Sequence, residues 1–195
     1  MELQHAKNLC LKISLNGDCS EGSHGPIGDW DVSAVTDMGS MFYYALAFNA
    51  DLSKWDVSAV SNMVFMFTDT SAFNQDISKW DVSAVTNMGY MFSQATSFNQ
   101  DLSKWDVSAV TVMTYMFSGA LKFNQDLSKW DVSAVTNMRH MFYRASAFNQ
   151  NLCGVAWVNS KADQEDMFME SPGWIKSTGC TTAKSGWCLL MQGQG

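Results

Sequence analysis

Residues 76–100 read Asp-Ile-Ser-Lys-Trp-Asp-Val-Ser-Ala-Val-Thr-Asn-Met-Gly-Tyr-Met-Phe-Ser-Gln-Ala-Thr-Ser-Phe-Asn-Gln, and the wording recurs up and down the chain. Trp30, Trp55, Trp80, Trp105 and Trp130 stand 25 residues apart. Phe48, Phe73, Phe98, Phe123 and Phe148 keep the same step, as do the Met-Phe pairs that begin at Met41, Met66, Met91, Met116 and Met141. A fixed period of this size marks units that bury their apolar faces only against one another. Five units therefore occupy 29–152, between an N-terminal cap at 1–28 and a degenerate unit with a C-terminal cap at 153–195.

Within the unit, Met88, Met91, Phe92 and Ala95 fall at the spacing of one helix face, with Asn87 placed as its N-cap. Ile77, Trp80 and Val82 have the pattern of a short half-buried strand. The predicted fold is α/β: an LRR-like solenoid of 25-residue strand–turn–short-helix repeats, with a parallel sheet on one face and distinct caps. Leu3, Ala6, Leu9 and Ile13 suggest an amphipathic helix over the first unit. Near the other end, 151–157 reads as a worn Asp-Leu-Ser-Lys-Trp with two residues inserted.

Composition narrows the function classes. The net charge of −7 disfavours nucleic acid and anionic membranes, since an acidic chain releases no phosphate counterions. Charged residues at 16% and aromatics at 13% fit a packed protein and not a disordered one. No apolar run reaches the roughly 18 residues of a membrane helix. The first residues lack the basic and apolar regions of a signal peptide. No nucleophile elbow, zinc-protease, P-loop or dinucleotide motif is present, and the polar residues repeat without forming one distinct constellation, so no enzyme, cofactor or metal site is expected.

The run Phe-Asn-Gln-Asp-Leu-Ser-Lys-Trp-Asp-Val-Ser-Ala-Val-Thr-Asn-Met, seen at 98–113 with Val112 in place of Asn, resembles the BspA-like surface-protein repeat. That family is also called the mycoplasma lipoprotein repeat and is regarded as a divergent leucine-rich repeat. The likeness covers roughly 29–152, with Trp, Met and Phe where leucine-rich repeats carry Leu. It implies an extracellular or cell-surface protein that binds a protein or glycan. By the habit of secreted leucine-rich proteins, Cys10–Cys19 and then Cys153–Cys180 are the expected disulfides, with Cys188 left over. Five reduced thiols in a cytosolic chain are the rival reading.

Two surfaces are candidates for contact. The first is a sheet-face ladder of Lys54, Asp56, Lys79, Asp81, Lys104, Asp106, Lys129 and Asp131, expected either to cancel crosswise as a solvated face or to form a flat ligand surface. The second is an aromatic column of Phe65, Tyr90 and Tyr115, flanked by residues that differ from copy to copy. Exposed aromatics among variable neighbours suit protein recognition, and an ordinary convex surface packed on the next unit is the alternative. Asn49, Asn74, Asn99, Asn124 and Asn149 are expected as a buried column that bonds backbone, in preference to calcium ligands. A scaffold subunit of a larger assembly and, less favoured, an ice-binding face complete the functional readings.

Overall fold

The computed structural model describes residues 2–176, and its backbone overturns the predicted α/β architecture. Among the described residues there is no strand and no sheet. Regular structure is confined to helix α1 (Glu2–Ile13), a 3-10 turn at Ile27–Asp29, and the four-residue helix α2 (Val155–Val158). The repeats are strings of turns, so the sheet-backed solenoid of leucine-rich type is not the fold.

Asp-x-Ser is what breaks the expected strand. Asp76 Oδ1 accepts the Ser78 N–H, Asp81 Oδ1 accepts the Ser83 N–H, and each bond bends the chain into an Asx turn. Trp80 N–H then closes on the Ile77 carbonyl, and Val85 N–H on that of Val82. The expected helix fails for a different reason. Tyr90 and Gln94 lie at φ 59° and 58°, left-handed positions that no α-helix contains. Asn87 caps no helix; its Oδ1 turns the chain by accepting the Gly89 N–H. Two consecutive turns thus imitate the i, i+3, i+4 spacing of a helix face.

Each coil is held to the next by hydrogen bonds that cross the repeat. The N–H groups of Met88, Tyr90, Phe92 and Gln94 donate to the carbonyls of Val112, Thr114, Met116 and Ser118 at 2.7–3.0 Å. Single parallel bridges join Asp37, Asn62, Asn87, Val112, Asn137 and Asp163 in sequence, one residue per coil. Stacking in register puts like side chains above one another. Phe67, Phe92, Phe117 and Phe142 stack at ring separations of 5.5–5.6 Å, and Phe73, Phe98, Phe123 and Phe148 at 5.9–6.0 Å. The Trp side chains of the inner coils are buried, and each indole N–H reaches back to a carbonyl of the preceding coil, as Trp80 does to Leu52 at 3.1 Å.

Both ends depart from this rule. On α1, Cys10 is buried, Leu3 and Leu11 pack against the core, and Ile13 is exposed. The disulfide Cys10–Cys19 ties α1 to the loop after it. In the sixth coil, Trp157 occupies the tryptophan position with its Nε1–H on the Leu127 carbonyl, and the two inserted residues are taken up as α2. Gly154 permits that detour, because a Cβ there would collide with the Ser128 carbonyl.

Candidate functional site

The backbone demands two left-handed residues per coil, and one of these columns is filled with rings. Ser40, Phe65, Tyr90, Tyr115 and His140 occupy the first at φ 55–59°; Tyr44, Asp69, Gln94, Gly119 and Arg144 occupy the second. Bulky L-residues pay roughly 1–2 kcal/mol there relative to glycine. Neighbouring rings offset this by stacking: Phe65–Tyr90 at 4.6 Å, Tyr90–Tyr115 at 4.8 Å and Tyr115–His140 at 4.5 Å. His140 extends the predicted column by one member; the signal was its place 25 residues after Tyr115.

All four rings are half-buried. Because each covers the next face to face, the solvent-facing surface is a ribbon of ring edges and phenol hydroxyls. Burial, together with the neighbouring Tyr115, raises the Tyr90 phenol above its ordinary range, so it stays a neutral hydroxyl able to donate. Small residues flank the middle of the ribbon: Gly89, Ser93, Ser118 and Gly119. At the N-terminal end it widens into Tyr43 and Tyr44, with Tyr43 edge-on to Phe65 at 6.1 Å. At the other end ions close it. Arg139 pairs with Asp163 and Glu165, Arg144 with Glu170, and His140 Nε2 lies 3.5 Å from Asp166.

The predicted Lys and Asp ladder belongs to no sheet. Lys54, Lys79, Lys104 and Lys129 form one exposed column, and Asp56, Asp81, Asp106 and Asp131 form another. Crosswise cancellation does not occur among the described residues. Lys54 pairs at 2.6 Å with Asp29, the residue in its own register one coil earlier, and the other three lysines form no ion pair. The aspartates are turn-makers, and hydrogen bonds from the following serine hold their carboxyls below the usual range. The Asn column is exposed and not buried; Oδ1 of Asn49, Asn74, Asn99 and Asn124 accepts the backbone N–H of the next Asn, as Asn74 does for Asn99 at 2.9 Å.

Cys153 is disulfide-bonded. Cys180, its expected partner, and Cys188 lie outside the described residues.

A family model described as Mycoplasma protein of unknown function, DUF285, matches the chain twice, over residues 14–111 and 79–177. The chain belongs to this family. The two matches overlap by more than one repeat, as a multi-repeat pattern does when it slides along a periodic sequence. Membership supports a repeat protein of the mycoplasma type and carries no leucine-rich assignment. No curated protein and no solved structure matches the chain.

Proposed function

We propose that this DUF285 member is a non-enzymatic module of the BspA-like, cell-surface or secreted kind that binds a protein through the Phe65–Tyr90–Tyr115–His140 ribbon. The observation that carries this is the unbroken ring stack on left-handed backbone, where Gly or Asn is the cheaper choice. Aromatic side chains in a fixed, partly exposed row offer contact area at little further entropy cost.

A protein fits better than a glycan. Sugars stack their C–H faces on open ring faces, whereas here the ring faces are turned to one another and only edges and hydroxyls are on offer. Variation at the solvent-reached flank, from Asp69 to Gln94 to Arg144, supplies a different polar group on each coil. The Cys10–Cys19 bond supports an oxidising, extracellular setting. Binding and not catalysis is proposed because the polar groups are repeated coil by coil, whereas a catalytic constellation is singular.

The test is site-specific photocrosslinking of the intact protein on native cell surfaces or in native medium. A photoreactive phenylalanine analogue at position 115 is expected to yield a discrete protein adduct that the same analogue at position 83 does not. Equal labelling from both positions, or recovery of glycan alone, overturns the proposal. Five thiols alkylated in the non-reduced native protein would overturn the extracellular part.

A further inference from the structure

Beyond the aromatic ribbon, the first coil has an open hydrogen-bonding edge. In every later coil the carbonyls on either side of the aromatic register accept N–H groups from the coil before: those of Asn62, Val64, Met66 and Thr68 accept from Met38, Ser40, Phe42 and Tyr44 at 2.8–2.9 Å. The equivalent carbonyls of the first coil belong to Asp37, Gly39, Met41 and Tyr43. Among the described residues, none of the four receives a hydrogen bond. The Thr36 N–H is likewise without an acceptor, whereas its counterparts on Ser61 and Thr86 donate to the preceding coil at 2.8 and 2.9 Å. The chain that would have formed a preceding coil is instead α1, a helix whose N–H groups beyond its first turn are spent on itself.

Helix α1 does not close this edge. An open groove runs between them, walled by Leu3, His5 and Asn8 on the helix side and by Trp30, Asp37 and Gly39 on the coil side. Asp31 also lines it. Asp31 and Asp37 each commit Oδ1 to a turn, while among the described residues nothing donates to, or pairs with, their Oδ2 atoms. Asp29 is different, being engaged by Lys54.

We propose that this groove binds a peptide segment bearing basic side chains, which follows the turns of 36–43 as an added coil edge. In every later coil the acceptors on these alternate residues are met by alternate N–H groups of a coil that follows the same turns, so a segment of roughly eight residues that adopts those turns occupies the edge. The Thr36 N–H takes a peptide carbonyl in return. Asp31 and Asp37, on a molecule of net charge −7, select Lys or Arg on the segment. Charge disfavours the rival occupant, the sixth coil of a second copy. That coil carries Asp163, Glu165, Asp166 and Glu170 against the two cations Arg139 and Arg144 that pair with three of them, so it brings no surplus of positive charge to Asp31 and Asp37.

The probe is a fluorescent octapeptide of alternating Lys and Val, titrated into the whole protein by anisotropy, with amide shifts at Thr36 and Gly39 read by NMR. Binding is expected to shift those two amides and to weaken by about tenfold or more in the alternating Glu-Val peptide. N-methylation of one alternate set of peptide amides is expected to abolish it, and methylation of the other set to be tolerated. The double variant D31N/D37N is expected to lose about tenfold in affinity while keeping its fold, since Asn already stands in the Asp37 register at Asn62, Asn87 and Asn137. Indifference to which set is methylated, shifts confined to Tyr90 and Tyr115, or a concentration-dependent oligomer that excludes the peptide would each overturn the proposal. The photocrosslinking result at position 115 stands or falls separately from all three.

Discussion

At the scale of single residues, two kinds of side chain set the turns. Aromatics in the left-handed register spend backbone strain and recover it in ring stacking, and the two nearly cancel. Tyr90→Asn removes roughly 1–2 kcal/mol of strain and two stacked contacts of roughly 0.5–1.5 kcal/mol each. Its stability is therefore expected to stay within about 1 kcal/mol of wild type by urea unfolding, while the photocrosslinked partner is lost. A drop of several kcal/mol would make the column structural only. Aspartates form the second kind. Asp81 has its folded pKa depressed, chiefly by the Ser83 hydroxyl and then by the Ser83 backbone N–H, while the charges of Asp106 and Asp56 push back. A depressed folded pKa contributes stability that is present above the unfolded value of about 4 and is lost as pH falls through the folded value. The urea midpoint is thus expected to be flat between pH 5 and 7 and to fall below about pH 4. By NMR titration, Ser83→Ala is expected to move the Asp81 pKa upward; no movement would remove the serine from the account.

At the scale of elements, the caps carry the irregular chemistry and the coils the regular one. Cys10 and Cys19, both buried and nine residues apart, fasten α1 beside the first coil. Replacing both with alanine is expected to cost about 2–3 kcal/mol and to lower the melting temperature without altering the inner coils. An unchanged melting temperature would mean that α1 is held by packing alone. The columns themselves were legible in the sequence, because Trp80, Phe92 and Phe98 recur at one period and nothing but stacking makes use of that. Their local backbone was misread. Met88, Met91, Phe92 and Ala95 satisfy helical spacing equally well as two turns, and side-chain polarity says nothing of the left-handed φ at Tyr90 and Gln94. The Asp-x-Ser signal for turns was present at Asp76 and Asp81, and the apolar alternation around Trp80 outweighed it. Of the candidate site, the ring register was readable, and His140 was missed because a histidine does not resemble the tyrosines it stacks on.

At the scale of the whole molecule, each coil touches only its neighbours, so stability builds up unit by unit. Deleting Asp76–Gln100 rejoins Gln75 to Asp101, a junction identical to the native Gln100–Asp101. The shortened protein is expected to fold with the same far-ultraviolet circular dichroism shape. Its urea m-value is expected to fall by roughly an eighth, in proportion to the surface removed. Loss of the cooperative transition would contradict stacking of interchangeable coils. The same stack explains why the two proposed contact surfaces differ. The ribbon runs along its length and multiplies with each coil, whereas the open edge exists once, where stacking stops.

The most direct test of coil-on-coil stacking is the nuclear Overhauser spectrum of the indole N–H protons, with the Trp80 signal assigned by its loss in Trp80→Phe. The Trp80 indole proton is expected to be slow to exchange with water and to show cross-peaks to Leu52, 28 residues earlier in the chain. Rapid exchange, or cross-peaks confined to residues 76–100, would contradict the account.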